Sequence, residues 1–127
     1  MTVIDAKQRF GDMEKALADV DGAPLWMDSV ARMAITPAAQ DLLEKAHGGP
    51  RMAQVYGSFL IMLMAGGDFG AVDRHDSIAN MAAIKSNGQV MGVYPADPTN
   101  EEQEGNVIWM IVDPGHKVLT VLTPSDY

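Results

Sequence analysis

Residues 66–83 read "GGDFGAVDRHDSIANMAA" and bring Asp68, Asp73, Arg74, His75 and Asp76 into one short stretch between two apolar segments. Carboxylates and an imidazole at such close spacing are the raw material of a metal site or of an acid–base pair. The spacing argues against both. A calcium loop of the EF-hand type needs oxygens at alternate positions, a glycine at the sixth and a glutamate at the twelfth, whereas these aspartates fall at intervals of five and three. A transition metal would need His75 to turn toward Asp73 and Asp76, and an early helical position points it away. Aspartates at a helix start have a simpler use: they accept backbone N–H bonds and oppose the helix dipole, which stabilises by about 0.5–2 kcal/mol. The expectation is therefore a capped helix, with no metal, no cofactor and no catalytic residue in this stretch.

Other chemistries are sparsely represented. The chain has no cysteine, which removes thiolate chemistry and disulfides and suits a reducing compartment. Ser58 follows Gly57 but lacks the second glycine of a nucleophile elbow, and "GGDFG" lacks the Lys-Ser/Thr of a phosphate-binding loop. His47, His75 and His116 lie far apart in sequence. His47 suits a helix C-terminus, where a positive ring complements the dipole. One catalytic alternative remains: Tyr94, His116, Lys117 and Thr120 on a small sheet would supply the base and phosphate clamp of a metal-independent ribonuclease-like toxin. The acidic net charge and the few basic residues weigh against it.

The elements that must carry these residues are helical first and stranded last. Phe10, Met13 and Leu17 form an apolar stripe within 5–19, interrupted by Gly11. Pro24 fits the first turn of a helix over 24–34, with Leu25, Trp26, Val30 and Met33 on its apolar face. Thr36-Pro37 reads as an N-cap and first turn for 37–46, which Gly48-Gly49-Pro50 ends. The helix at 51–65 is the most hydrophobic, with Met52, Val55, Tyr56, Phe59, Leu60 and Leu63 as its expected inner face. Asp73 or Asp76 then caps a helix running to Ser86 and burying Ile78, Met81 and Ala82, and Asn87-Gly88 stops it. "QVMGVY", "VIWMIV" and "KVLTVL" read as three strands of an antiparallel meander, with a tight turn at Asp113-Pro114-Gly115. The middle strand is apolar on both faces, so both faces of the sheet are expected to be covered. Residues 95–105 form an acidic, proline-containing stretch with no periodicity, expected to be a mobile, solvated loop. The fold class is α+β: a helical N-terminal half packed on an antiparallel sheet of at least three strands, in a single domain over 1–127.

With 127 residues, 47% of them hydrophobic and 20% charged, the chain is long enough to bury a core and should fold. A net charge of −8 argues against nonspecific attraction to a phosphate backbone, so direct nucleic-acid binding is not expected. It leaves room for a basic partner, including a nucleic-acid-binding host protein. The first residues carry charges throughout and do not read as a secretory signal, and the longest apolar run, 59–65, falls well short of the roughly 20 residues that span a bilayer. A cytoplasmic protein without membrane contact is expected.

From residue 34 onward the sequence resembles a family of small uncharacterised plasmid-related proteins encoded on plasmids, integrative elements and phages. The resemblance rests on "ITPAAQDLLEKA" at 35–46, "FLIMLMAGGDFGAVDRHDSIANMAAI" at 59–84 and "VIWMIVDPGHKVLTVLTPSDY" at 107–127. Where the family carries an acid-x-Asp-Arg turn before its last strand, this chain has "DPGHKVL" and no such arginine. Residues 1–33 have no counterpart in the resemblance. It implies a role in conflict between mobile element and host. It also implies that Asp68, Asp73, Asp76, Asn80, Trp109 and Tyr127 form one constellation, whose chemistry suits an architectural role better than catalysis.

These readings converge on a non-enzymatic accessory protein of a mobile element or phage that binds a host or element-encoded protein, as an inhibitor or in counter-defence. Its expected contacts are an acidic or methionine-rich surface, including Asp97, Glu101, Glu102 and Glu104 in the acidic loop. The ribonuclease-like toxin is the alternative. A further alternative is a self-assembling protein that forms a homodimer through the helix at 51–65.

Overall fold

The structure, a computed structural model, describes residues 26–127. It is an α+β fold with a four-stranded sheet in the order β1-β4-β3-β2. The strands are β1 (Arg32–Ile35), β2 (Val90–Pro95), β3 (Val107–Val112) and β4 (Val118–Leu122); the helices are α1 (Pro37–His47), α2 (Pro50–Ala65) and α3 (Arg74–Ser86). A short 3-10 turn, Pro124–Asp126, closes the chain. Among the described residues no helix is long and apolar enough to cross a membrane.

The three expected strands form the meander, with β2 and β4 antiparallel to β3. The fourth strand stands where a helix over 24–34 was expected. The described part of that span is a helical turn at 26–27 followed by β1, which runs parallel to β4 with Arg32 opposite Val118 and Ile35 opposite Val121. One local fact agrees with an extended approach to α1: Pro37 disfavours a helical residue before it, and Thr36 accordingly sits at φ −72°, ψ 153°. Trp26 and Val30 still pack on the core, from a turn instead of a helix face. Pro24 and the expected helix at 5–19 lie outside the described residues.

Alternation along the strands sends Val90 and Tyr94, Ile108, Met110 and Val112, and Leu119 to one face, where all are buried against α1 and α2. On the opposite face Ile111 and Leu122 are also buried, and the ring of Trp109 meets that of Tyr127 edge-on at 5.4 Å.

The helix starts follow their local signals. Thr36 Oγ1 accepts from Ala39 N and Gly48 closes α1 in the left-handed region, while Asp73 Oδ1 accepts from Asp76 N and Asn87 closes α3. The helix faces differ from expectation. In α2 the buried residues are Ala53, Leu60, Leu63 and Met64, whereas Met52 and Val55 point outward. An all-round apolar helix has no period that fixes its rotation. The rotation is set instead by Tyr56, whose hydroxyl donates to Pro95 O at 2.6 Å and whose ring stacks on His47. In α3 the expected inner residues Ile78, Met81 and Ala82 are exposed, and the buried residue is Asn80.

Candidate functional site

The stretch at 66–83 builds the outer border of the sheet. After α2 ends, Asp68 N donates to Leu63 O, and Asp68 Oδ1 accepts from Gly70 N at 2.9 Å. That turn lays residues 69–71 beside β2: Val93 N donates to Phe69 O, Ala71 N donates to Val93 O, and Gly70 bridges Val93 in parallel. Gly70 has φ +74°, and a Cβ there would collide with the backbone oxygen of Val93, so both conformation and space demand glycine. Beneath the turn the Tyr94 hydroxyl donates to Asp68 O at 2.8 Å.

Asn80 completes the border from α3. Its Oδ1 accepts from Met91 N at 3.1 Å and its Nδ2 donates to Met91 O at 2.8 Å, so one amide side chain occupies the place of a neighbouring strand. Asp68, Asp73 and Asn80 thus spend polar atoms on backbone. Between α3 and β2 lies an open cleft of about 490 Å³, with Val72, Ala79, Met91 and Val93 as apolar lining and Asp73 and Asp76 at its border. Such a cleft suits a long basic side chain, stem on the apolar lining and charge toward the acids.

The other two members of the expected constellation lie one strand inward. Trp109 stands opposite Val93, the residue that pairs with the 69–71 turn, and Tyr127 packs on Trp109. The structure therefore joins Asp68, Asp73, Asp76 and Asn80 in one corner and links Trp109 and Tyr127 to it through the Val93–Trp109 pair.

The residues of the toxin alternative are not assembled. Tyr94 is buried beneath Asp68; His116 is buried in the β3–β4 turn, where its Nε2–H donates to Gly88 O at 2.7 Å and its ring meets Trp26 edge-on. Lys117 is exposed and Thr120 is half-buried on β4. Among the described residues no group of three or more His, Asp and Glu side chains is gathered to hold a metal ion, and no buried side-chain nitrogen or oxygen lacks a hydrogen-bond partner.

The acidic loop is organised by a residue that no sequence pattern singles out. Buried Asn106 accepts from Asp97 N at 2.7 Å and donates to Asp97 O and Asn100 O. Asp97 itself accepts from the hydroxyl and the N–H of Thr99, which hold its carboxyl below the usual carboxylate range; the nearby His47 adds to this. Glu101, Glu102 and Glu104 are exposed at the loop surface. A single Asn in a polar stretch has no periodicity to mark it, and only its bonds back across the loop reveal the role. Thr36 and Asp126 form a second unsuspected link: the Thr36 hydroxyl donates to Asp126 Oδ2 at 2.6 Å, tying the cap of α1 to the C-terminal turn. Compared with protein-family models, curated proteins and solved structures, the chain matches none.

Proposed function

We propose that the protein is a non-enzymatic binding protein that engages a protein partner through α3 and the cleft beside it. The observation that carries this reading is the inverted character of α3: it buries a polar residue, Asn80, while Ile78 is 59% and Met81 47% exposed. Exposed apolar residues on a helix that contributes little to the core are a common mark of a contact surface. Asp73, the cap of this helix, and Asp76 in its first turn border the cleft, and with a net charge of −8 they favour a basic partner. The resemblance of residues 34–127 to plasmid-related proteins supports a partner from the host or from a mobile element, with inhibition or counter-defence as the role. The toxin alternative loses support because His116 and Tyr94 direct their polar groups to backbone carbonyls.

The test is affinity capture from a bacterial host lysate with the wild-type chain and an Ile78→Lys/Met81→Lys variant side by side. A stoichiometric partner retained by the first and lost by the second is expected. Repeated capture of nothing, or equal capture by both, defeats the proposal.

A further inference from the structure

Among the described residues the helical layer over the sheet is incomplete above β1. Met33 and Ile35 lie on the same face as the buried Leu119 and as Val121, with which they pair, yet they are 62% and 41% exposed. Among the described residues β1 is also an edge strand, paired only with β4. Beside these two residues runs an apolar groove of about 440 Å³, walled by α2 through Ala53, Gly57 and Ile61 and floored by Met33, Ile35 and Val121. A Cβ built on Gly57 would meet nothing within 4 Å, so the wall is open to close approach at its middle.

We propose that this groove seats the chain's own residues 5–19. Three observations favour this occupant over a second copy or another protein. First, Trp26, where the described chain begins, is anchored near the groove's end: its Nε1 donates to Ala65 O, one turn of α2, or about 6 Å, beyond Ile61. Second, the apolar stripe fits the groove's length, since Phe10 to Leu17 would span about 10 Å at helical rise. The groove runs along α2 from Pro50 to Ile61, roughly 16 Å at helical rise, and a helix over 5–19 would be about 22 Å long. The six residues 20–25 reach up to about 20 Å, enough to turn the chain back along α2. Third, the chemistry matches: Phe10, Met13 and Leu17 give one apolar stripe on an otherwise charged segment. Gly11 lowers the helix propensity of that segment by about 1 kcal/mol relative to alanine, and helices of this length are marginal alone, so an apolar seat is what would make it helical.

The absence of native cysteine permits a direct test with paired substitutions in the full chain. Phe10→Cys, Met13→Cys and Leu17→Cys are each combined with Gln54→Cys or Ser58→Cys on the groove wall, and in parallel with Met52→Cys on the exposed side of the same helix. The tether gives every pair a comparable millimolar effective concentration, so seating shows as a groove pair that oxidises at least about tenfold faster than its Met52→Cys counterpart, as monomer. The three N-terminal positions cover the unknown register, since a disulfide needs Cα atoms within about 7 Å. Equal rates at groove and control positions overturn the proposal. Covalent dimers in place of monomers overturn it too, and assign the groove to a second copy.

Discussion

Asn80 and Met91 are joined through both ends of the asparagine amide, which accepts the Met91 N–H and donates to the Met91 carbonyl. An edge strand with free backbone groups is a template for unwanted pairing, and this pair, with the 69–71 turn on Val93, closes β2. Asn80→Ala removes both bonds and should cost about 1–3 kcal/mol in urea unfolding. Asn80→Asp is more informative. Its carboxylate still accepts from Met91 N but faces Met91 O, so burial and that oxygen raise its folded pKa above the unfolded value. The neutral form, which can donate, is favoured in the folded state. The deficit relative to wild type should therefore shrink as pH falls through the raised value; a deficit that grows on acidification contradicts the geometry.

Gly70→Ala separates space from conformation. Gly48 and Gly70 both have positive φ, 80° and 74°, but only at Gly70 would the new methyl meet backbone, the Val93 oxygen. Gly48→Ala should cost about 1–2 kcal/mol, the left-handed penalty alone. Gly70→Ala should cost about 3 kcal/mol or more, because the 69–71 turn must leave β2. Protection of the Val93 amide in hydrogen exchange, lost in the second variant and kept in the first, locates the damage.

The contrast between these sites shows what the sequence could convey. Thr36-Pro37, Asp73 and Asn87-Gly88 act on the nearest backbone, so helix limits were readable from a few residues. The strands of the meander are readable from their β-branched runs, and the β3–β4 turn is local, although a longer loop, 96–106, separates β2 from β3. β1 was not, because its pairing with β4 joins segments at opposite ends of the described chain. The face of α3 was not readable either: Ile78 and Met81 look like core by composition, and only the Asn80–Met91 bonds rotate them outward. In the motif at 66–83 the cap falls to Asp73, one of the two acids whose position suggests it, and Asp68 holds a turn through Gly70 N. The part they play in closing β2 depends on a strand that follows them in sequence.

Thr36 and Asp126 predict an acid-sensitive clasp. The Thr36 hydroxyl, followed by the N–H and hydroxyl of Thr123, holds the Asp126 carboxyl below the ordinary carboxylate value. A carboxyl depressed in the folded state contributes stability that is complete above its unfolded pKa, near 4, and that fades as pH falls through the lower folded value. Asp126→Asn should flatten that part of the acid limb, below about pH 4, while leaving the shape of the curve above it unchanged. Urea midpoints from pH 2 to pH 7, about the range over which a carboxyl titrates, decide the matter; parallel curves for the two proteins would show that Asp126 is not clasped.

Ile78 and Met81 offer a test in which stability should not move. Both are exposed on α3, so Ile78→Lys and Met81→Lys remove little buried surface, and lysine is at least as good a helix former as isoleucine. Each variant should unfold within about 0.5 kcal/mol of wild type. Ile84, half-buried against the core from the inner side of the same helix, should behave differently, with Ile84→Ala costing about 1–2 kcal/mol, short of the full core penalty. If the lysine variants proved as costly as Ile84→Ala, α3 would be rotated as its composition suggests, and its outward apolar residues could not serve a partner. A neutral result makes the capture experiment interpretable, because loss of the partner would then follow from a changed surface on an intact fold.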